Sequence, residues 1–180
     1  MVCILLANGF EMIEALTPCD VLKRAGATVK LVSITDTPSA TSTHGVTVGC
    51  DTTLSELDPE EIELLILPGG MPGAQNLYDC EAVCQLTVAH AKKSKPIAAI
   101  CAAPFILGKL GLLKDKRATC YPGFEGDLEG ATVSCDGVVT DGNVVTAKGM
   151  GVSLPFSLAL TELLFGTDKA NAIAAQIMAK

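Results

Sequence analysis

Strands alternating with helices predict an α/β fold, with a mostly parallel central sheet and helices on both faces. Three observations carry this expectation. Residues 2–7 are a continuous apolar run and residues 62–67 an apolar run broken only by Glu63, the pattern of strands buried on both faces. Residues 13–25 show helical periodicity and stop at Gly26, a natural residue just past a helix end. The alternation then continues to the end of the chain without an internal repeat, a linker or a low-complexity tract.

In chain order, residues 27–34 read as a second strand and residues 40–51 as a hairpin-like excursion around His44-Gly45. The strand at 62–67 closes on Pro68-Gly69-Gly70. A helix at 81–93, a strand at 96–100 and a helix at 103–110 follow. Residues 117–121 and 131–134 read as short strands. The strands at 138–140 and 144–147 flank Asp141-Gly142-Asn143, a strong hairpin signal. Residues 153–165 and 168–179 read as closing helices, with Ser153 placed to cap the first of them. In open α/β sheets, sites form beyond the carboxyl ends of strands. That rule singles out residues 8–14, 68–76 and 101–104.

A chain of 180 residues is expected to form a single domain with its own core. No apolar run approaches the roughly 20 residues that span a bilayer. The apolar start lacks a basic stretch and a cleavage site, so it reads as a strand and not as a signal peptide. Thirteen Lys and Arg against twenty Asp and Glu give a net charge of −7. The basic stretches at 91–95 and 114–117 are short and read as solvated helix ends and loops, which argues against a nucleic-acid footprint. Eight cysteines without a secretory signal suggest free thiols in a reducing cytoplasm. Cys80 and Cys84 are four apart on one helix face, but no second pair accompanies them, so no metal site is expected.

Cys101 carries the first candidate chemistry. It ends an apolar strand and precedes Ala102-Ala103-Pro104, small residues that permit a tight strand-to-helix turn. A thiol there would face unsatisfied amides and the positive end of the helix dipole, which lower its pKa. The same spacing also suits a buried small residue. Residues 68–73 form a glycine-rich turn without the Gly-Lys-Ser/Thr of a phosphate loop. It reads either as a plain turn or as a nest of amides around an oxyanion. Glu11 and Glu14 lie at a helix entry, where acidic groups favour the dipole. Glu14, among Ile13, Ala15 and Leu16, would on burial stay protonated and donate to a thiolate. His90 is expected to face solvent, and His44 to sit in a turn. Neither is placed to pair with Cys101.

At these residues the sequence resembles the ThiJ/PfpI superfamily, its DJ-one branch in particular. The matching segments are residues 2–14, 67–77, 98–104 and 146–151, in family order and spanning essentially the whole chain. The resemblance implies a flavodoxin-like three-layer sandwich, a homodimer and no cofactor. It implies Cys101 as elbow nucleophile, Glu14 as its hydrogen-bonded acid, and oxyanion-type amides at Gly70 and Ala102, with Gly69 supporting the turn. Glu11 and Arg24 match positions that pair near the dimer interface, and Cys50 matches an interface-side cysteine. Two departures stand out. Protease-like members carry His where this chain has Ala102, and some relatives carry His-Pro where it has Tyr121-Pro122.

The implied activity is cofactor-independent conversion of reactive 2-oxoaldehydes such as methylglyoxal and glyoxal, or of their early glycation adducts, to 2-hydroxy acids. The second reading is an oxidative-stress sensor or chaperone-like protein acting through oxidation of Cys101. The third is a cysteine peptidase, weakened by Ala102. No membrane or nucleic-acid partner is expected.

Overall fold

The computed structural model describes residues 1–179. Its elements are β1 (Val2–Leu6), α1 (Met12–Ala25), β2 (Val29–Ser33), β3 (Ser39–Thr41), β4 (Thr47–Gly49) and β5 (Thr52–Thr53). Then come β6 (Leu64–Leu67), α2 (Gly73–Asp79), α3 (Glu81–Lys92), β7 (Ile97–Ile100) and α4 (Pro104–Lys109). The chain closes with β8 (Arg117–Ala118), β9 (Thr132–Val133), β10 (Val138–Asp141), β11 (Val144–Ala147), α5 (Ser153–Phe165) and α6 (Thr167–Gln176).

Seven strands form the central sheet in the order β10-β11-β7-β6-β1-β2-β5. All neighbours run parallel except β10 and β11, the hairpin around Asp141-Gly142-Asn143. The α/β expectation therefore holds. Side chains alternate along each strand, so one run feeds two cores. In β1, Cys3 and Leu5 join the core under α2, α3 and α4, with Leu65, Leu67, Val83 and Phe105. Val2, Ile4 and Leu6 join the opposite core under α1 and α5, with Ile66, Phe156 and Leu160. That is why the strand runs are continuously apolar.

The excursion at 40–51 is the antiparallel pair β3–β4, as expected. The two short strands are a separate parallel pair, Arg117 beside Thr132. Residues 73–79, assigned to no element from the sequence, form α2. Two expectations are corrected. The last helix ends at Gln176, three residues before the expected stop. Ser153 is the first helical residue of α5 and caps nothing, its buried hydroxyl having no partner.

The expected solvent-facing His90 is also wrong. It is 3 % exposed, and its Nε2 lies 2.9 Å from the Pro96 carbonyl, tying α3 to the start of β7. Polar neighbours in sequence concealed this because helix faces turn every 3.6 residues. Among the described residues, no helix is long and apolar enough to cross a membrane.

Candidate active site

The strands β7, β6 and β1 are adjacent and parallel, so their carboxyl ends open on one edge of the sheet. The segments 8–14, 68–76 and 101–104 therefore converge there, as the strand-end rule predicts. Backbone bonds lock them together. The Glu11 amide donates to the Gly69 carbonyl at 2.9 Å, and the Gly73 amide to the Gly9 carbonyl at 3.1 Å.

Cys101 sits at the end of β7 with φ at +65°, the left-handed region that side-chain-bearing residues rarely adopt. Its amide donates to the Ala147 carbonyl on β11 at 2.9 Å, and its carbonyl accepts from the Tyr121 amide at 2.8 Å. Those two bonds hold the strained turn, and the following residues enter α4 at Pro104. The geometry is that of an elbow, with the thiol half-buried.

Glu14 lies in the first turn of α1 and is 1 % exposed. Its Oε2 accepts from the Gly69 amide at 3.0 Å. Its carboxyl also accepts from the Met150 amide and shares a hydrogen bond with the Cys101 thiol. Burial raises its pKa to about 7, against the pull of those bonds. The carboxyl is thus protonated in the acidic range and half-ionised near neutrality.

The amides of Gly70 and Ala102 both donate to the Cys101 sulfur. Even so, burial and the adjoining Glu14 carboxylate push the thiol well above its ordinary value. The lowering expected from the helix dipole is outweighed, because α4 is only six residues long and the sulfur is partly desolvated. Two groups this close titrate as a pair. The first proton leaves near the Glu14 value, and the second is then held between sulfur and carboxyl. When it rests on Glu14, the repulsion vanishes and two amides face a thiolate.

Glycine is required where the walls meet. A Cβ on Gly69 would lie 2.5 Å from the Cys101 Cβ and 2.6 Å from Glu14 Oε2. A Cβ on Gly70, at φ +87°, would lie 2.4 Å from the Glu11 amide nitrogen. Gly69 therefore serves Glu14 and close packing, while Gly70 and Ala102 serve the sulfur.

Two residues were not singled out for the site by spacing. Gly149 and Met150 follow β11, which runs parallel beside β7 and opens on the same edge. A Cβ on Gly149 would lie 3.8 Å from both the Cys101 sulfur and Glu14 Oε1. The strand-end rule, applied to β11, would have found them.

The remaining expected residues lie apart. Glu11 caps α1, accepting from the Ile13 amide at 3.3 Å, with His44 at 3.9 Å. Arg24, near the other end of α1, bonds Asp20 at 2.7 Å. Thirteen residues of helical rise place them about 20 Å apart, so they do not pair within one chain. Cys50 is half-buried beyond β4, its thiol raised by burial and by Asp51. Among the described residues, no three His, Cys, Asp or Glu side chains group as metal ligands.

Comparison with known proteins bears on the family and the fold. The chain matches the DJ-1/PfpI family over residues 1–163. It is 37 % identical over 171 residues to protein DJ-1 homolog B of Arabidopsis thaliana, covering 94 % of this chain but 39 % of that protein. The chain thus spans less than half the length of that relative. A protein of Pyrococcus abyssi named a deglycase is 37 % identical over 152 residues, 83 % of this chain and 90 % of its own. The solved structure of oxidized Toxoplasma gondii DJ-1 superposes with a TM-score of 0.94 at 35 % identity, over 98 % of this chain and 97 % of that one. The elbow, the fold and these matches place the chain in the DJ-1/PfpI family.

Proposed function

We propose that this chain converts 2-oxoaldehydes such as methylglyoxal, or their early adducts with amines and thiols, to 2-hydroxy acids. The hydrogen-bonded pair of Cys101 and Glu14 at the strained elbow carries the reading. The deglycase names of archaeal relatives support it. The Cys101 thiolate adds to the aldehyde carbon, forming a carbon–sulfur bond. The oxygen that gains the electron pair lies one bond from the sulfur, within reach of the Gly70 and Ala102 amides. Glu14 protonates that oxygen, and its carboxylate then moves the aldehyde C–H proton to the neighbouring carbon. A thioester results, and water hydrolyses it to a 2-hydroxy acid and free thiol. No net redox change or cofactor is needed.

The test is lactate formed from methylglyoxal. Wild type should make it, and Cys101→Ala should lose about 10³-fold or more in rate. Equal, negligible lactate from both would overturn the reading.

A second reading has its own support. A protonated Glu14 beside a half-buried thiol would donate to a sulfinate oxygen after reaction with peroxide. Intact mass after graded peroxide would distinguish it, since Cys101 must then oxidise before Cys19 and Cys120.

The chain is further proposed to act in the cytoplasm as a homodimer. Leu16, Val21, Leu154 and Ile177 line an unfilled groove of about 510 Å³ beside Arg24. Glu11 and Arg24, unable to meet within one chain, would then pair between copies.

A further inference from the structure

Beside the thiol opens a recess of about 330 Å³, lined by Tyr121, Pro122, Lys148, Met150 and Val152, with Gly149 and Gly151 in its backbone. Gly149 connects it to the chemistry. The space a Cβ would take there lies 3.8 Å from the Cys101 sulfur and 3.4 Å from Cδ2 of Tyr121. A substituent on a carbon held by that sulfur therefore runs over Gly149 towards the tyrosine ring.

The walls are apolar in character. Tyr121 and Met150 are 51 % and 55 % exposed, unusual for side chains of this size. Lys148 offers its methylene stem, because its ammonium is turned away to donate to the Cys135 carbonyl at 2.7 Å. Among the described lining residues none carries a carboxylate. The two carbons of glyoxal would leave this space to water. A phenyl or branched alkyl group would fill it and cover the exposed ring and thioether.

We propose that the recess is a substrate subsite selecting 2-oxoaldehydes with an aromatic or branched apolar substituent, and that Tyr121, Met150 and Val152 determine this specificity. The proposal rests on the aldehyde-converting reading above, which supplies the bond at Cys101.

Alkylation separates the two ideas, because it needs no turnover. The Cys101 sulfur displaces bromide from 2-bromoacetophenone or bromoacetone, forming one carbon–sulfur bond and releasing bromide. The rate at the Cys101 peptide is read by mass, and the ratio of the two reagents is divided by that for free cysteine. Wild type should show at least about a tenfold excess for the aryl reagent, the usual worth of a filled apolar pocket. Gly151 has open space around its Cβ position, so Gly151→Leu should fill the recess and bring the excess to within about twofold. Met150→Glu, changed at an exposed side chain, should lower it as well. The same ordering is expected in kcat/KM for phenylglyoxal against glyoxal.

A wild-type ratio equal to that of free cysteine overturns the proposal, even if both aldehydes are converted. So does a greater excess for bromopyruvate, which would mark a carboxylate site at Lys148. An aryl excess that both variants lose, without conversion of any aldehyde, upholds the subsite and overturns the proposed reaction.

Discussion

At the scale of the residue, the site depends on how little room surrounds Glu14. Its carboxyl is buried and held by the Gly69 and Met150 amides, so its folded-state pKa of about 7 lies above the ordinary 4.5. The stability from the neutral form is complete below 4.5 and is lost as pH rises through 7. Glu14→Gln, which stays neutral, should not lose it. Melting temperatures from pH 4.5 to 8 should show the wild type falling relative to the variant; parallel curves would refute the burial cost. Gly69→Ala is expected to destabilise by about 1–3 kcal/mol, because its methyl meets Cys101 and Glu14 inside contact distance. Denaturant midpoints would show this. Spacing alone raised Cys101 and Glu14 as candidates, because an elbow and a helix entry leave local signatures. It did not find the raised thiol pKa, which arises from groups 87 residues apart meeting in space.

At the scale of the element, the strand ends do the positioning. Apolar runs declared β1, β6 and β7, and the parallel sheet brought their ends together. A two-residue strand such as β5 leaves no periodic signal, and α2 was concealed by the Pro-Gly run that precedes it. His90 shows the cost of reading polarity without tertiary context. Its bond to the Pro96 carbonyl ties α3 to β7, so His90→Ala should cost about 1–3 kcal/mol through an orphaned acceptor. Burial lowers its pKa, so its contribution is present above the ordinary 6.5 and is lost as pH falls. An unchanged urea midpoint for His90→Ala would show that the tie is idle.

At the scale of the whole molecule, the sheet presents two distinct surfaces. One edge carries the thiol, and the groove on α1 lies away from it beside Arg24. If that groove joins two copies, Arg24→Glu places it against Glu11 of the second copy. Sedimentation should then show at least about a tenfold rise in the dimer dissociation constant. The four ordered segments made the family legible, since the turns they carry meet around Cys101 and Glu14. The proposed chemistry depends most on Cys101 and Glu14 acting as one titrating pair. The most direct measurement is the rate of Cys101 alkylation by iodoacetamide from pH 5 to 10, in wild type and in Glu14→Gln. A wild-type midpoint well above that of an ordinary thiol is predicted, with the rate still climbing at pH 10, and it is displaced downward by at least about one pH unit in the variant, which lacks the carboxylate's repulsion. A midpoint near that of an ordinary thiol, about 8.5, and unmoved by the substitution would contradict the pairing.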